Sequence, residues 1–87
     1  MDNKRNMNRY YFVDCNIKEN NEKENVYFNL QAALDHSKSK SMKGSIFHLT
    51  AGEHKSMNEL YKNSFRFYNN QHIIGTAGTC ISSRIFN

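Results

Sequence analysis

The sequence contains no proline and no tryptophan, and its 87 residues include only two cysteines and four glycines. Cys15 and Cys80 form no Cys-x-x-Cys pair, and no apolar leader opens the chain, so the pattern does not indicate a disulfide-stapled secreted protein. No segment approaches the roughly 18 apolar residues needed to cross a bilayer. We therefore expect a cytoplasmic protein that does not enter the membrane.

Apolar residues are also scarce, since hydrophobic side chains make up 38% of the chain. A single domain of this size gains only roughly 3–5 kcal/mol of net stability from its core, so a partner surface commonly adds to it. Five tyrosines and six phenylalanines supply large side chains for this thin core. The lack of proline and the abundance of asparagine, lysine and isoleucine are what A/T-rich codons produce, which indicates a low-GC bacterium or its phage.

The formal net charge of +4 lies entirely in residues 26–87. Residues 1–25 carry five basic and five acidic side chains, which cancel. Residues 36–72 carry six basic side chains, two acidic ones and all four histidines. This balance favours partners with a negative surface, although it is weaker than in dedicated nucleic-acid-binding arms.

Local patterns predict regular elements separated by polar loops. Asn25 is a favourable N-cap, and the apolar residues after it recur at helical spacing. Ser56 and Glu59 form a capping box in front of an amphipathic run that ends at Tyr68. The predicted elements, in chain order, are a strand over 9–17, a helix over 26–37, a strand over 45–51, a helix over 57–68 and two β runs over 72–76 and 79–86.

These elements predict a small α+β domain in the order β-α-β-α, followed by a C-terminal β-hairpin. Residues 1–8 are predicted to be a flexible lead, and residues 9–87 a single domain. We expect both helices to pack on one face of a small sheet, in which the strand over 45–51 pairs in parallel with the first strand. The other face of the sheet is then uncovered.

No complete catalytic motif is present in the sequence. His48, Glu53 and His54 bring together two imidazoles and a carboxylate, which are groups that can bind zinc or move protons. Gly52 interrupts this run, so the two histidines do not recur on adjacent turns of one helix as in zinc hydrolases. The apolar neighbours of Cys80 favour a small buried side chain over a nucleophile. We expect no metal and no cofactor.

Two short segments resemble parts of RNA-binding families. Residues 73–81, which include Gly75 and Gly78, resemble the Gly-x-x-Gly loop with which K-homology domains clamp a nucleic-acid backbone. Residues 43–47 resemble part of the RNP1 element of the RNA recognition motif, with residues 11–13 as its partner strand. Both resemblances imply contact with nucleic acid. Neither family's order of helices and strands can be completed from the other predicted elements, so we assign no family.

Size and the absence of a catalytic motif favour a non-enzymatic binding protein that docks on a larger protein or nucleoprotein complex and modulates it. Its most concrete form is a phage-type inhibitor of a host nucleic-acid enzyme, and a homodimer is compatible with so small a core. The alternative is direct RNA or DNA binding through the basic surface over 38–66. A small enzyme that uses the two histidines and Glu53 is a third hypothesis. The candidate contact residues are the basic side chains Lys38, Lys40, Lys43, Lys55, Lys62 and Arg66 and the aromatic side chains of the uncovered sheet face, Tyr10, Phe12 and Phe47.

Overall fold

A computed structural model of the chain describes residues 9–40, 44–56, 63–68 and 70–86. These residues form one α-helix and eight short strands: β1 Arg9–Val13, β2 Val26–Tyr27, α1 Leu30–Lys40, β3 Ser45–Leu49, β4 Gly52–His54, β5 Phe65–Arg66, β6 Gln71–Gly75, β7 Thr79–Ile81 and β8 Ile85–Phe86. In this part of the chain, no helix has the length and apolar character needed to span a membrane.

The strands form three sheets in which each strand runs parallel to its neighbours. The first sheet has the order β2-β1-β3-β6, the second contains β4 and β7, and the third contains β5 and β8. Successive turns of the chain therefore stack on each other, with Gly52 level with Thr79 and Phe65 level with Ile85. Two turns that each contribute one strand to three parallel sheets have the arrangement of a β-solenoid.

The predicted α+β arrangement of two helices on one sheet face with a terminal hairpin is wrong. Strands β6 and β7 pair with β3 and β4 rather than with each other. In the second predicted helix, Asn63 has the left-handed φ of 61° and the next residues form β5. Residues 57–62 of that helix lie outside the described residues. The apolar spacing around Phe65 fits a helix, but parallel pairing with β8 outweighs this local preference. The Phe65 side chain is completely buried.

Helix α1 begins at Leu30 and not at residue 26. Asn25 has the left-handed φ of 59°, and the two residues that follow it join the first sheet as β2. The residue that caps the helix is Asn29, whose side-chain Oδ1 accepts the N–H of Gln31 at 2.9 Å. The predicted N-cap at Asn25 is therefore wrong, and the residue that caps the helix lies about one helical turn later in the chain.

The predicted strands have shorter bounds than the apolar runs suggest. β1 ends at Val13 because the Asp14 carboxylate accepts the N–H of Asn16 at 2.9 Å and turns the chain. The predicted parallel pairing of β1 with β3 is confirmed over five residue pairs. The run predicted over 79–86 is divided between β7 and β8, which belong to different sheets.

The core lies between the inner face of the first sheet, helix α1 and strand β5. Side chains alternate along a strand, so Tyr11 and Phe47 point inward while Tyr10 and Phe12 point outward. The two inward rings stack with their centroids 5.0 Å apart. The buried hydrophobic residues are Tyr11, Val13, Tyr27, Leu30, Ala33, Leu34, Phe47, Leu49 and Phe65.

Gly52 is the first residue of β4 and occupies a position that excludes a side chain. Its φ is +122°, and a Cβ atom there would lie 2.7 Å from the Sγ atom of Cys15. We expect Gly52→Ala to lower the free energy of unfolding by about 1–3 kcal/mol, as measured by urea denaturation. Adding Cys15→Ala should recover only the part due to the contact, because the backbone strain remains. An unchanged unfolding midpoint in Gly52→Ala would contradict this backbone conformation.

Candidate functional site

The outer face of the first sheet gathers most of the exposed large hydrophobic side chains of the described residues. Tyr10, Phe12 and Ile74 lie there with 41%, 45% and 47% of their surfaces exposed. Phe28 and Ile85 are also exposed, but they belong to the segment before α1 and to the third sheet. An uncovered group of this kind on one flat face is the feature that most needs a functional explanation.

Strand register places these side chains in two rows across the sheet. Tyr10 is level with Ile46, and Phe12 is level with His48. Residues that are level on neighbouring strands project from the same face of a sheet. We call the outward-facing residues of the first sheet the aromatic face: Tyr10, Phe12, Val26, Ile46, His48, His72 and Ile74. The aromatic face contains no lysine, arginine, aspartate or glutamate.

Contacts among the rings fix the geometry of the aromatic face. The ring centroids of Tyr10 and Phe12 are 5.3 Å apart, and Phe12 stacks on His48 at 5.6 Å with an interplanar angle of 28°. The His48 Nδ1 atom lies 3.4 Å from the Tyr10 hydroxyl, and its Nε2 atom lies 3.0 Å from the Thr76 hydroxyl. Because these side chains are already held in place, they lose little conformational freedom when a partner binds.

Phe47 does not contribute to the aromatic face, and its predicted place on the uncovered side of the sheet is wrong. It is level with Tyr11 rather than with Tyr10 or Phe12, and its side chain is fully buried. The direction of a strand side chain reverses with a shift of one residue in register. Packing of the inner face against α1 sets this register, so the sequence around Phe47 does not reveal it.

Several members of the aromatic face were not among the contact residues predicted from the sequence. The alternation over His72, Ile73 and Ile74 is visible in the sequence and indicates that the two isoleucines face opposite sides. Only the pairing of β6 with β3 shows that Ile74 is level with His48 and faces outward. His48 was considered as a zinc ligand or a group that moves protons, and in the structure its ring stacks on Phe12.

Two of the candidate basic residues meet at one aromatic ring. The Lys38 Nζ atom lies 4.8 Å and the Arg66 Cζ atom 5.4 Å from the centroid of the Tyr68 ring. The Tyr68 hydroxyl donates to Asp35 Oδ1 at 3.4 Å, so a carboxylate offsets part of this positive charge. Lys38 and Arg66 therefore already contact the Tyr68 ring, on which a nucleic-acid base would have to stack.

The remaining basic candidates are not part of that cluster in the described residues. Lys55 follows β4 and lines a separate cleft beside Glu53. The side chain of Lys40 lies outside the described residues, as do Lys43 and Lys62. The segment that resembles the K-homology loop consists of the end of β6, a turn and β7, whereas the family has a helix on each side of that loop.

The groups of the third hypothesis, His48, Glu53 and His54, point in different directions. His48 belongs to the aromatic face, and Glu53 is exposed on β4. His54 is 2% exposed, and its Nε2–H donates to the carbonyl oxygen of Thr50 at 2.8 Å. In the described residues, no group of three or more histidine, cysteine or acidic side chains is arranged to hold a metal ion.

A shallow cleft between the start of α1 and β4 contains the other reactive side chains. Its volume is about 180 Å³, which is below the range of roughly 300–1,000 Å³ typical of small-molecule sites. Cys15 and His54 line it, but the thiol is directed to the carbonyl oxygen of Ala51 at 3.7 Å and the imidazole to Thr50. Cys80 lies elsewhere and is exposed on β7, contrary to the buried position expected for it.

Comparisons of the chain with protein families, curated proteins and solved structures find no match. Fold and surface together describe a small parallel-sheet protein whose most distinctive feature is an uncharged aromatic face.

Proposed function

We propose that this chain is a non-enzymatic binding protein that docks on a larger protein through its aromatic face and modulates that protein. The observation that carries the proposal is the joint exposure of Tyr10, Phe12 and Ile74 on one sheet face whose rings are already in contact. Aromatic side chains dominate interaction hot spots, and charged residues are depleted at the centres of such surfaces. The complementary partner surface is apolar and uncharged.

The absence of charged side chains from the aromatic face favours a protein partner over nucleic acid. Affinity for RNA or DNA comes largely from lysine and arginine contacts with phosphates, and the aromatic face has neither residue. Direct nucleic-acid binding through residues 38–66 would use the region around Lys38 and Arg66 instead, so the two functions can be separated by substitution. The concrete form of our proposal is a phage-type inhibitor of a host nucleic-acid enzyme, supported by the small size of the chain and by an amino-acid composition of the kind that A/T-rich codons produce.

We expect the double variant Tyr10→Ala/Phe12→Ala to lose its protein partner. Removing hot-spot aromatic residues costs at least about 2 kcal/mol, or roughly 30-fold in Kd. The tagged chain would be used for capture at about 0.1 M and about 0.5 M salt with nuclease treatment, and the affinity for the captured protein would then be measured by titration calorimetry. Both side chains are exposed, so the far-UV circular dichroism spectrum should remain native.

The matched control is Phe28→Ala, which removes an exposed phenylalanine outside the aromatic face and should leave the affinity unchanged. Equal affinity of the double variant and the native chain would overturn the docking face. Recovery of nucleic acid that disappears at the higher salt concentration, and on Lys38→Ala substitution, would move the function to the basic residues.

A further inference from the structure

The strands β4 and β5 are covered at one end of the stack by polar side chains at the start of α1. The Gln31 amide imitates a neighbouring strand, because its Oε1 accepts the N–H of Arg66 at 2.7 Å and its Nε2 donates to the Arg66 carbonyl at 3.1 Å. Asn29 Nδ2 donates to the carbonyl of Lys55 at 3.0 Å, just after β4. These side chains satisfy backbone groups on the outer edges of both strands.

The opposite end of the stack is formed by β6, β7 and β8, and its hydrogen-bonding groups point outward. The N–H of Thr76 donates to Leu49 on β3, and the carbonyl of Asn70 accepts from Ser45. Backbone groups alternate sides along a strand, so those of Ile73 point away from β3. No partner for them is found among the described residues.

The outer strands of the other two sheets are oriented in the same way. The N–H of Ser82 donates to the carbonyl of His54 on β4, so the backbone groups of Ile81 point away from β4. The carbonyl of Arg84 accepts from Phe65 on β5, so those of Ile85 point away from β5. Among the described residues, three strands thus present unpaired edges at one end of the stack.

The composition of this open end is unusual for exposed strand edges. Residues 70–86 contain one charged side chain, that of Arg84, and no proline. Exposed edges are ordinarily blocked by lysine, proline or a covering element, and the terminal units of solenoids carry a polar outer face. The half-buried Ile73 and Ile81 also pack against the core from this end. In its low charge and its lack of proline, the open end therefore resembles a surface that a partner covers.

We propose that a second copy of this chain covers the open end, with the β6 strands of the two copies paired antiparallel across a two-fold axis. A two-fold axis brings identical edges together, and antiparallel edges with alternating N–H and C=O groups are self-complementary. Each copy carries a net charge of +4, and this nearly neutral end is where two copies can meet without like-charge repulsion. The interface uses the backbone edge of β6, and it brings the outward side chains of His72 and Ile74, at the margin of the aromatic face, next to the β6 strand of the second copy.

Sedimentation velocity between about 5 and 500 µM should show a transition from a 10.2 kDa monomer to a species of twice that mass. In the dimer, the amides of Ile73, Ile81 and Ile85 should exchange with deuterium more slowly than in the dilute monomer. Ile85→Lys adds a charge to the free edge through a side chain that is 54% exposed. It should weaken association at least about tenfold.

Asn21→Lys is the matched control, because it adds the same charge at an exposed residue that is bridged to Val26 of β2, on the edge of the first sheet opposite β6, and it should leave association unchanged. Native circular dichroism spectra of both variants would confirm that they fold. A monomer at every concentration would overturn the proposal, as would a dimer that Ile85→Lys does not weaken. Protection of the three amides in a monomer would overturn it as well, since a segment of the same chain would then cover the edge.

Discussion

Replacing Phe47 with alanine should leave most of the protein unfolded in buffer. The Phe47 ring is fully buried and stacks on Tyr11 with centroids 5.0 Å apart, in a core to which the described part of the chain contributes nine hydrophobic residues. Truncating a buried phenylalanine costs about 3–5 kcal/mol, which is comparable with the roughly 3–5 kcal/mol that a core of this size supplies in total. Far-UV circular dichroism with urea titration would measure the loss directly.

Phe12→Ala is the control for this experiment, since it makes the same chemical change on the adjacent strand of the same sheet. Phe12 is 45% exposed on the aromatic face, so its truncation should lower the free energy of unfolding by no more than about 1 kcal/mol. Similar losses at the two positions would contradict the assignment of one ring to the core and the other to the surface.

The contrast between Phe47 and Phe12 shows how much structural information a local sequence pattern carries. The alternation over Tyr10, Tyr11, Phe12 and Val13 predicts a strand with two distinct faces, and the structure has such a strand. The parallel pairing of β1 with β3 could also be predicted, because a helix separates the two strands in sequence. The side that Phe47 faces could not be predicted, since it depends on a register set by distant contacts.

The solenoid arrangement was beyond sequence analysis for a different reason. Five of the eight described strands have only two or three residues, namely β2, β4, β5, β7 and β8. Such short segments show no measurable periodicity. Around Phe65, the helical spacing of apolar residues is therefore a stronger signal than the two-residue strand β5 that the chain forms there. The two turns also show no visible sequence repeat, which is the signal that usually reveals a solenoid.

The turn between β6 and β7 illustrates the same limit. Gly75 and Gly78 enclose a short segment between two apolar runs, which is the local pattern of a β-hairpin. The Thr79 hydroxyl donates within the turn to the carbonyl of Thr76 at 2.6 Å. The Thr76 N–H nevertheless donates to the carbonyl of Leu49 on the preceding turn of the chain at 3.0 Å, and the Gly52 N–H of that turn donates to the carbonyl of Gly78 at 3.0 Å. Contacts between turns, and not the glycines alone, decide that the two strands enter different sheets.

The part of the candidate site that depends on the alternation of side chains along a strand could be predicted from the sequence. Tyr10 and Phe12 were assigned to an uncovered sheet face, where the structure exposes them. The basic candidates were chosen by charge alone, and charge does not show which side chains converge. Lys38 and Arg66 meet only because the end of α1 lies beside the residues that follow β5, at the ring of Tyr68.

Gln31→Leu should destabilise the protein by about 2–4 kcal/mol, because two backbone groups lose their partner at once. Gln31 is 6% exposed, and its amide accepts from the Arg66 N–H and donates to the Arg66 carbonyl. Leucine has a similar size but can form neither bond, so the edge of β5 would lose both of these hydrogen bonds within the protein. Urea denaturation would give the stability, and hydrogen exchange should show faster exchange at Arg66 than in the native chain.

Gln31→Glu distinguishes the contribution of the hydrogen bonds from that of packing, because glutamate has nearly the same shape as glutamine but lacks the N–H donor. The carboxylate keeps an acceptor for the Arg66 N–H, but it loses the donor to the Arg66 carbonyl and to Asp35 Oδ1, which Gln31 Nε2 contacts at 3.0 Å. This variant should be destabilised by repulsion from Asp35, and adding Asp35→Asn should restore part of the stability because an amide can donate to the new carboxylate. If Gln31→Leu were as stable as the native chain, the amide would not be needed to close this end of the stack, and the difference between the two ends that underlies the proposed dimer would disappear.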